Sequence, residues 1–119
     1  YARVLETAKK EKSPLTEVEE RCLGTTHPQL ATAVCGLWRL PPRVASALAH
    51  HHRPTEASRG AQILRVADWL ASSVGLRNFR WDEYPRPDTE LEALGLGNEQ
   101  VEALQGIDPE IRKFISSFD

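Results

Sequence analysis

Cysteine is scarce in this sequence. Cys22 and Cys35 are the only two in 119 residues, too few and too widely spaced for a disulfide framework or a paired-cysteine zinc site. Both read as small core residues in a reducing compartment. No apolar run approaches the roughly 20 residues that a membrane span requires, and no signal-peptide pattern opens the chain, so no membrane partner is expected and the expected location is the cytoplasm. The alternating pattern of a sheet, a glycine-rich phosphate loop and an internal repeat are all missing. Nor is there the basic, aromatic-interleaved stripe of single-stranded nucleic-acid binders, which makes nucleic acid an unexpected partner. What remains, at 40% hydrophobic and 27% charged residues, suits a single helical domain over residues 1–119 with a modest core.

Proline and glycine punctuate the chain into helices. Tyr1 to Glu11 reads helical, with Val4, Leu5 and Ala8 as its inner stripe and no residue capping its start. Ser13-Pro14 opens a second helix in which Leu15, Val18 and Cys22 share a face until Gly24 ends it. Thr26 caps a third, running to about Trp38, whose apolar face of Leu30, Ala33, Val34, Leu37 and Trp38 is expected in the core. Leu40-Pro41-Pro42 forces an extended corner, and a fourth helix starts there and runs to His52. Residues 54–58 read as a loop. Helix five, Arg59 to about Val74, stops at Gly75 and offers Ile63, Leu64, Ala67, Leu70, Ala71 and Val74 inward, with Asp68 on the edge of that stripe. Arg77 to Thr89 reads as a polar loop in which Phe79, Trp81 and Tyr84 alternate with charged residues. Short helices follow at about Glu90–Leu94, Asn98–Leu104 and Pro109–Phe118. The fold class is all-α, a compact helical bundle.

Histidine is also rare, with four in the chain, yet three of them are consecutive. On a helix from Pro42 to His52, Ala47, His51, Val44, Leu48, His52 and Ala45 fall on one face, while His50, Arg43 and Ser46 fall on the other. His51 and His52 are therefore expected inward, turned toward Asp68, and His50 in water. His27, at the first turn of the preceding helix, points along that helix's apolar face. Burying Asp68 without a partner is costly. Such a set either hydrogen-bonds as a polar plug or holds a metal.

The net charge of −2 conceals a division. Arg39, Arg43, Arg53, Arg59 and Arg65 face Glu56 alone between Pro28 and Val66, whereas the stretch from Asp82 to Glu110 is acidic, with Arg86 its one cation. An anionic ligand or a nucleotide suits the first of these, with Arg53 and Arg59 as the candidate anion-binding residues. Two solvated faces account for the same pattern.

Glu19, Gly24, His27, the corner Trp38-x-Leu40-Pro41, His51-His52-Arg53-Pro54 and the Val66-Ala67-Asp68 helix together resemble the C-terminal half of an HDOD domain. That domain is a member of the HD superfamily related to the HD-GYP phosphodiesterases. The resemblance spans about Tyr1 to Leu104. It implies that helices carrying a first histidine and a His-Asp pair precede this segment in the family. By analogy with HD-type sites it also implies His27, His51, His52 and Asp68 as candidate ligands of a divalent metal, which would activate water against a phosphodiester. The His-Asp pair is absent, Arg53 stands where HD-GYP enzymes have an acid, and no Gly-Tyr-Pro stretch follows. The resemblance thus implies a non-catalytic bacterial signalling and regulatory module that acts through protein partners, with no catalytic residue and no cofactor expected. A metal-dependent phosphohydrolase is the alternative, and a nucleotide or nucleic-acid binder using the arginine-rich face is a second one. Self-association is expected as well, through apolar faces that the preceding helices would cover, with the stripe of Val4, Leu5 and Ala8 foremost.

Overall fold

A computed structural model of the chain describes residues 1–53, 58–75 and 85–115. All secondary structure among the described residues is helical, in the order α1 (Ala2–Glu11), α2 (Leu15–Leu23), α3 (His27–Leu37), α4 (Pro42–His50), α5 (Arg59–Ser73), α6 (Asp88–Leu94), α7 (Asn98–Gly106) and α8 (Asp108–Ile115). None of these helices is long and apolar enough to cross a membrane.

Local chemistry sets the breaks. The α1 helix ends where Lys12 turns left-handed at φ 53°, and α2 ends at Gly24, whose φ of 67° a side chain would resist and whose N–H reaches Glu20 O at 2.9 Å. Thr26 begins α3, its N–H donating to Gln29 Oε1 at 2.8 Å in half of a capping box. Arg39, left-handed at φ 52°, then turns the chain into Pro41-Pro42. Pro42 starts α4, where a missing N–H costs nothing.

The apolar interior is divided. Val4, Ala8 and Val18, with Leu15 against them, form a small core between α1 and α2. A second core joins α5, α6 and α7 through Val66, Leu91 and Val101, with Trp69, Leu70, Leu94 and Leu96 around it. Between the two lie α3, α4 and α5, stacked in sequence through small buried residues: Cys35, Ala47 and Ala61. Gly60 explains how close that stack is, because a Cβ there would stand 3.0 Å from the Ala47 Cβ. Arg86 fastens the second core from outside. Its guanidinium donates to Asn98 Oδ1 at 2.5 Å, pairs with Asp88 at 3.0 Å and lies 5.9 Å from the Trp69 ring centre.

Several expectations about facing are corrected. Val4 and Ala8 are buried against Val18, not open. The α3 stripe is the open one instead: Leu30, Val34, Leu37 and Trp38 are all exposed, Leu37 at 78% and Trp38 at 69%. Helix five is rotated from the expected register. It buries Ala61, Gln62 and Val66, while Ile63 and Ala67 face water. Cys22 is exposed and only Cys35 is buried. The physical reason is common to all of them: an apolar stripe says that a helix has a sticky face, but which face is covered depends on what arrives to cover it. The expected extended stretch around Phe79, Trp81 and Tyr84 lies outside the described residues.

Candidate functional site

The start of α3 meets the end of α4 at a cluster of imidazoles. Helix α4 stops at His50, so His51 and His52 follow in the turn beyond it, and the turn lets both rings approach His27. Ring centres stand 4.8 Å apart for His27 and His52, 5.6 Å for His27 and His51, and 4.1 Å for His51 and His52. One ligand-capable atom from each of the three lies within 4.8 Å of the others. His50 remains outside, exposed, with Nδ1 at 2.9 Å from Ser46 O. Asp68 sits, half-buried, on α5, and the clustered ligand-capable side chains are those of His27, His51 and His52.

A buried carboxylate anchors the cluster. Glu19, 1% exposed, lies near the end of α2, and the Gly24 turn brings the first residue of α3 back onto it. Its Oε2 accepts the His27 backbone N–H at 3.0 Å and stands 2.8 Å from His27 Nδ1, while Oε1 accepts the Tyr1 hydroxyl. Burial alone would raise the Glu19 pKa, yet the hydrogen bonds from Tyr1 and from the His27 backbone and ring outweigh it and hold the carboxyl below its ordinary 4.5. The Tyr1 phenol moves the other way. Burial of its hydroxyl end, and then the neighbouring Glu19 carboxylate, push it up to about 12.

This arrangement sets the tautomers. An ionised Glu19 accepts only, so the His27 Nδ1 carries a proton toward it, and a neutral His27 then accepts at Nε2. The His52 Nε2 stands 2.8 Å from that atom and donates to it. His51 Nδ1, 2.7 Å from Leu48 O, donates to that carbonyl, which frees its Nε2. A histidine whose far nitrogen is fixed by a carboxylate or a carbonyl is the form that ligates metals. Three imidazoles suit a borderline ion such as Zn²⁺, which would supply an acidified bound water. The separation of 2.8 Å between two Nε2 atoms is nevertheless that of a shared proton. Two nitrogens on one tetrahedral zinc stand about 3.3 Å apart, so an ion would displace the proton and open the pair by about half an ångström.

A cavity of about 640 Å³ lies beside His52 between α2, the start of α3 and the end of α4, with Arg21, His50 and Arg53 in its wall alongside Glu17 and Glu20. Arg59 lies elsewhere, on a cavity between α4 and α5. The two arginines singled out for anion binding therefore belong to different sites, and the acids beside Arg53 oppose an anion there. Sequence reasoning assigned no role to Tyr1 and took Glu19 only as a residue of the resemblance, without its contact to His27. The spacing of Glu19 and His27 across Gly24 carried that contact, since a left-handed turn folds the end of one helix onto the start of the next.

Among the described residues, all secondary structure is helical, and the turn after α4 brings His51 and His52 to His27, whose ring rests on the buried Glu19. Residues 1–54 match the family model described as HDOD domain. The match covers the N-terminal part of the chain, from Glu19 through the histidine trio, and stops short of the Val66-Ala67-Asp68 helix that the resemblance had included. No curated protein and no solved structure matches the chain.

Proposed function

We propose that this HDOD segment is a bacterial regulatory module that works by protein–protein contact and not by catalysis. The observation that carries the proposal is the open face of α3. Leu30, Val34, Leu37 and Trp38 form a continuous exposed stripe, and no charged side chain interrupts the helix between His27 and Arg39. Exposed apolar patches of this kind mark interaction sites. Because a two-fold contact sets each patch against itself, an uncharged stripe suits pairing of two copies, with no like charges to bring together. Light scattering over a dilution series tests this: wild type is expected to show a dimeric mass at tens of micromolar, and Leu37→Glu a monomeric one. A monomeric wild type would remove the pairing.

The meeting of three imidazoles favours a second reading, a metal-dependent phosphohydrolase. It is the weaker of the two, because the His-Asp pair of HD-type sites is absent from the sequence, and incomplete sets bind metal weakly. Elemental analysis of the purified protein separates the readings. No stoichiometric transition metal and no hydrolysis of a cyclic dinucleotide are expected, and about one metal per chain together with turnover would reverse the order.

A further inference from the structure

Another cavity, about 590 Å³, lies between α4 and the first turn of α5, away from the histidine trio. Its wall holds the guanidinium-bearing Arg43 and Arg59 and the hydroxyl-bearing Ser46 and Ser58; Val44 and Leu48 are among the apolar residues that complete it. Among the described residues no acidic side chain lines it, in a chain with more acidic than basic residues. We propose that this cavity binds a small organic phosphate, with the guanidinium groups of Arg43 and Arg59 holding the phosphate and the apolar wall receiving the group that it esterifies.

Three observations support the assignment. First, neither Arg43 nor Arg59 has a hydrogen bond or an ion pair among the described residues, so both forks are available. Arginine is otherwise readily paired in a chain that carries 17 acidic residues, and a planar guanidinium matches phosphate oxygens two at a time. Second, the two arginines are brought together by close packing and not by chance on a flexible surface. A Cβ placed on Gly60 would stand 3.0 Å from the Ala47 Cβ and 4.0 Å from Arg43 O, so the first turn of α5 is seated against the first turns of α4. Third, the volume falls in the range of small-molecule sites, and the mixture of apolar wall with a few convergent polar groups fits a phosphate attached to an apolar body better than a bare ion. The Ser58 side chain leaves α5 without a side-chain cap, so the N–H groups of that turn add to the same positive field. The α3 stripe takes no part, and the inference is independent of the proposed pairing.

Titration of the full chain with phenyl phosphate, inorganic phosphate and phenol tests the assignment, read by amide chemical shifts. Phenyl phosphate is expected to shift signals of α4 and of the first turn of α5, inorganic phosphate to do so more weakly, and phenol not to do so at all. The double variant Arg43→Gln, Arg59→Gln should weaken phenyl phosphate about tenfold or more, while Arg53→Gln should leave it unchanged. Both arginines in the double variant are exposed, and the far-UV spectrum verifies that it stays folded. The proposal is overturned if phenyl phosphate causes no shift at about 10 mM, if the shifts fall on the His52 cavity instead, or if the double variant binds as wild type does.

Discussion

Replacing Glu19 with glutamine isolates what the buried carboxylate does. The side chain keeps its size, so no cavity opens, but the negative charge that receives Tyr1, the His27 backbone N–H and the His27 ring is lost. A hydrogen bond to a charged group is worth about 1.5–3 kcal/mol and a neutral one about 0.5–1.5, a difference near 1 kcal/mol per bond. The His27 side chain is 35% exposed and Tyr1 is exposed too, so water replaces part of what those two lose, and only the backbone bond counts in full. The expected cost is about 2 kcal/mol at neutral pH, or roughly 5–10 °C in Tm for a chain of this size. Urea denaturation followed by circular dichroism measures it. The pH dependence is the sharper test. A carboxyl whose native pKa is depressed contributes stability that is present above its unfolded value and lost as pH falls through the native one. The gap between wild type and Glu19→Gln should therefore be full near neutrality and close below the ordinary 4.5. A variant as stable as wild type at neutral pH, or a gap that persists unchanged to about pH 3, would refute the account.

Two other substitutions probe packing. Gly60→Ala gains up to about 1 kcal/mol of helix propensity, yet its Cβ would meet the Ala47 Cβ at 3.0 Å, and neither atom can swing aside; a net loss of about 1 kcal/mol is expected in urea denaturation, and a gain would show that α4 and α5 can separate freely. Gln62 is 7% exposed and its amide has no partner among the described residues; Gln62→Leu should raise stability by about 1 kcal/mol, and a drop of that size would mean that the amide is satisfied in solution.

Helix ends were legible because particular residues enforce them. Gly24 and Gly95 take up positive φ, Pro42 starts α4, and the wheel over α4 separates His50 from His51 and His52, even though the helix stops at His50. Facing was less legible. The Leu30–Trp38 stripe reads inward by periodicity alone and lies exposed, because periodicity cannot name the surface that covers it. Helix α5 buries Gln62 and Val66 where the periodicity put Ile63 and Ala67 inward, because the covering helices α6 and α7 meet a different face. Glu19 was legible as a motif residue through its spacing to His27, but its burial and its bonds to Tyr1 and His27 depend on a turn that folds the start of α3 onto it, which spacing alone does not display.

The divided interior bears on how the molecule comes apart. Among the described residues, the hydrogen bonds that join the α1–α2 hairpin to the rest both end on Glu19, and the hairpin's own core is Val4, Ala8, Val18 and Leu15. A cluster that small does not hold two short helices together by itself, so the hairpin is a low-stability unit that opens ahead of the remainder. Its amides should exchange with solvent sooner than those of Val66 or Val101, and each opening would strip His27 of its carboxylate and leave the trio without the group that fixes its protons.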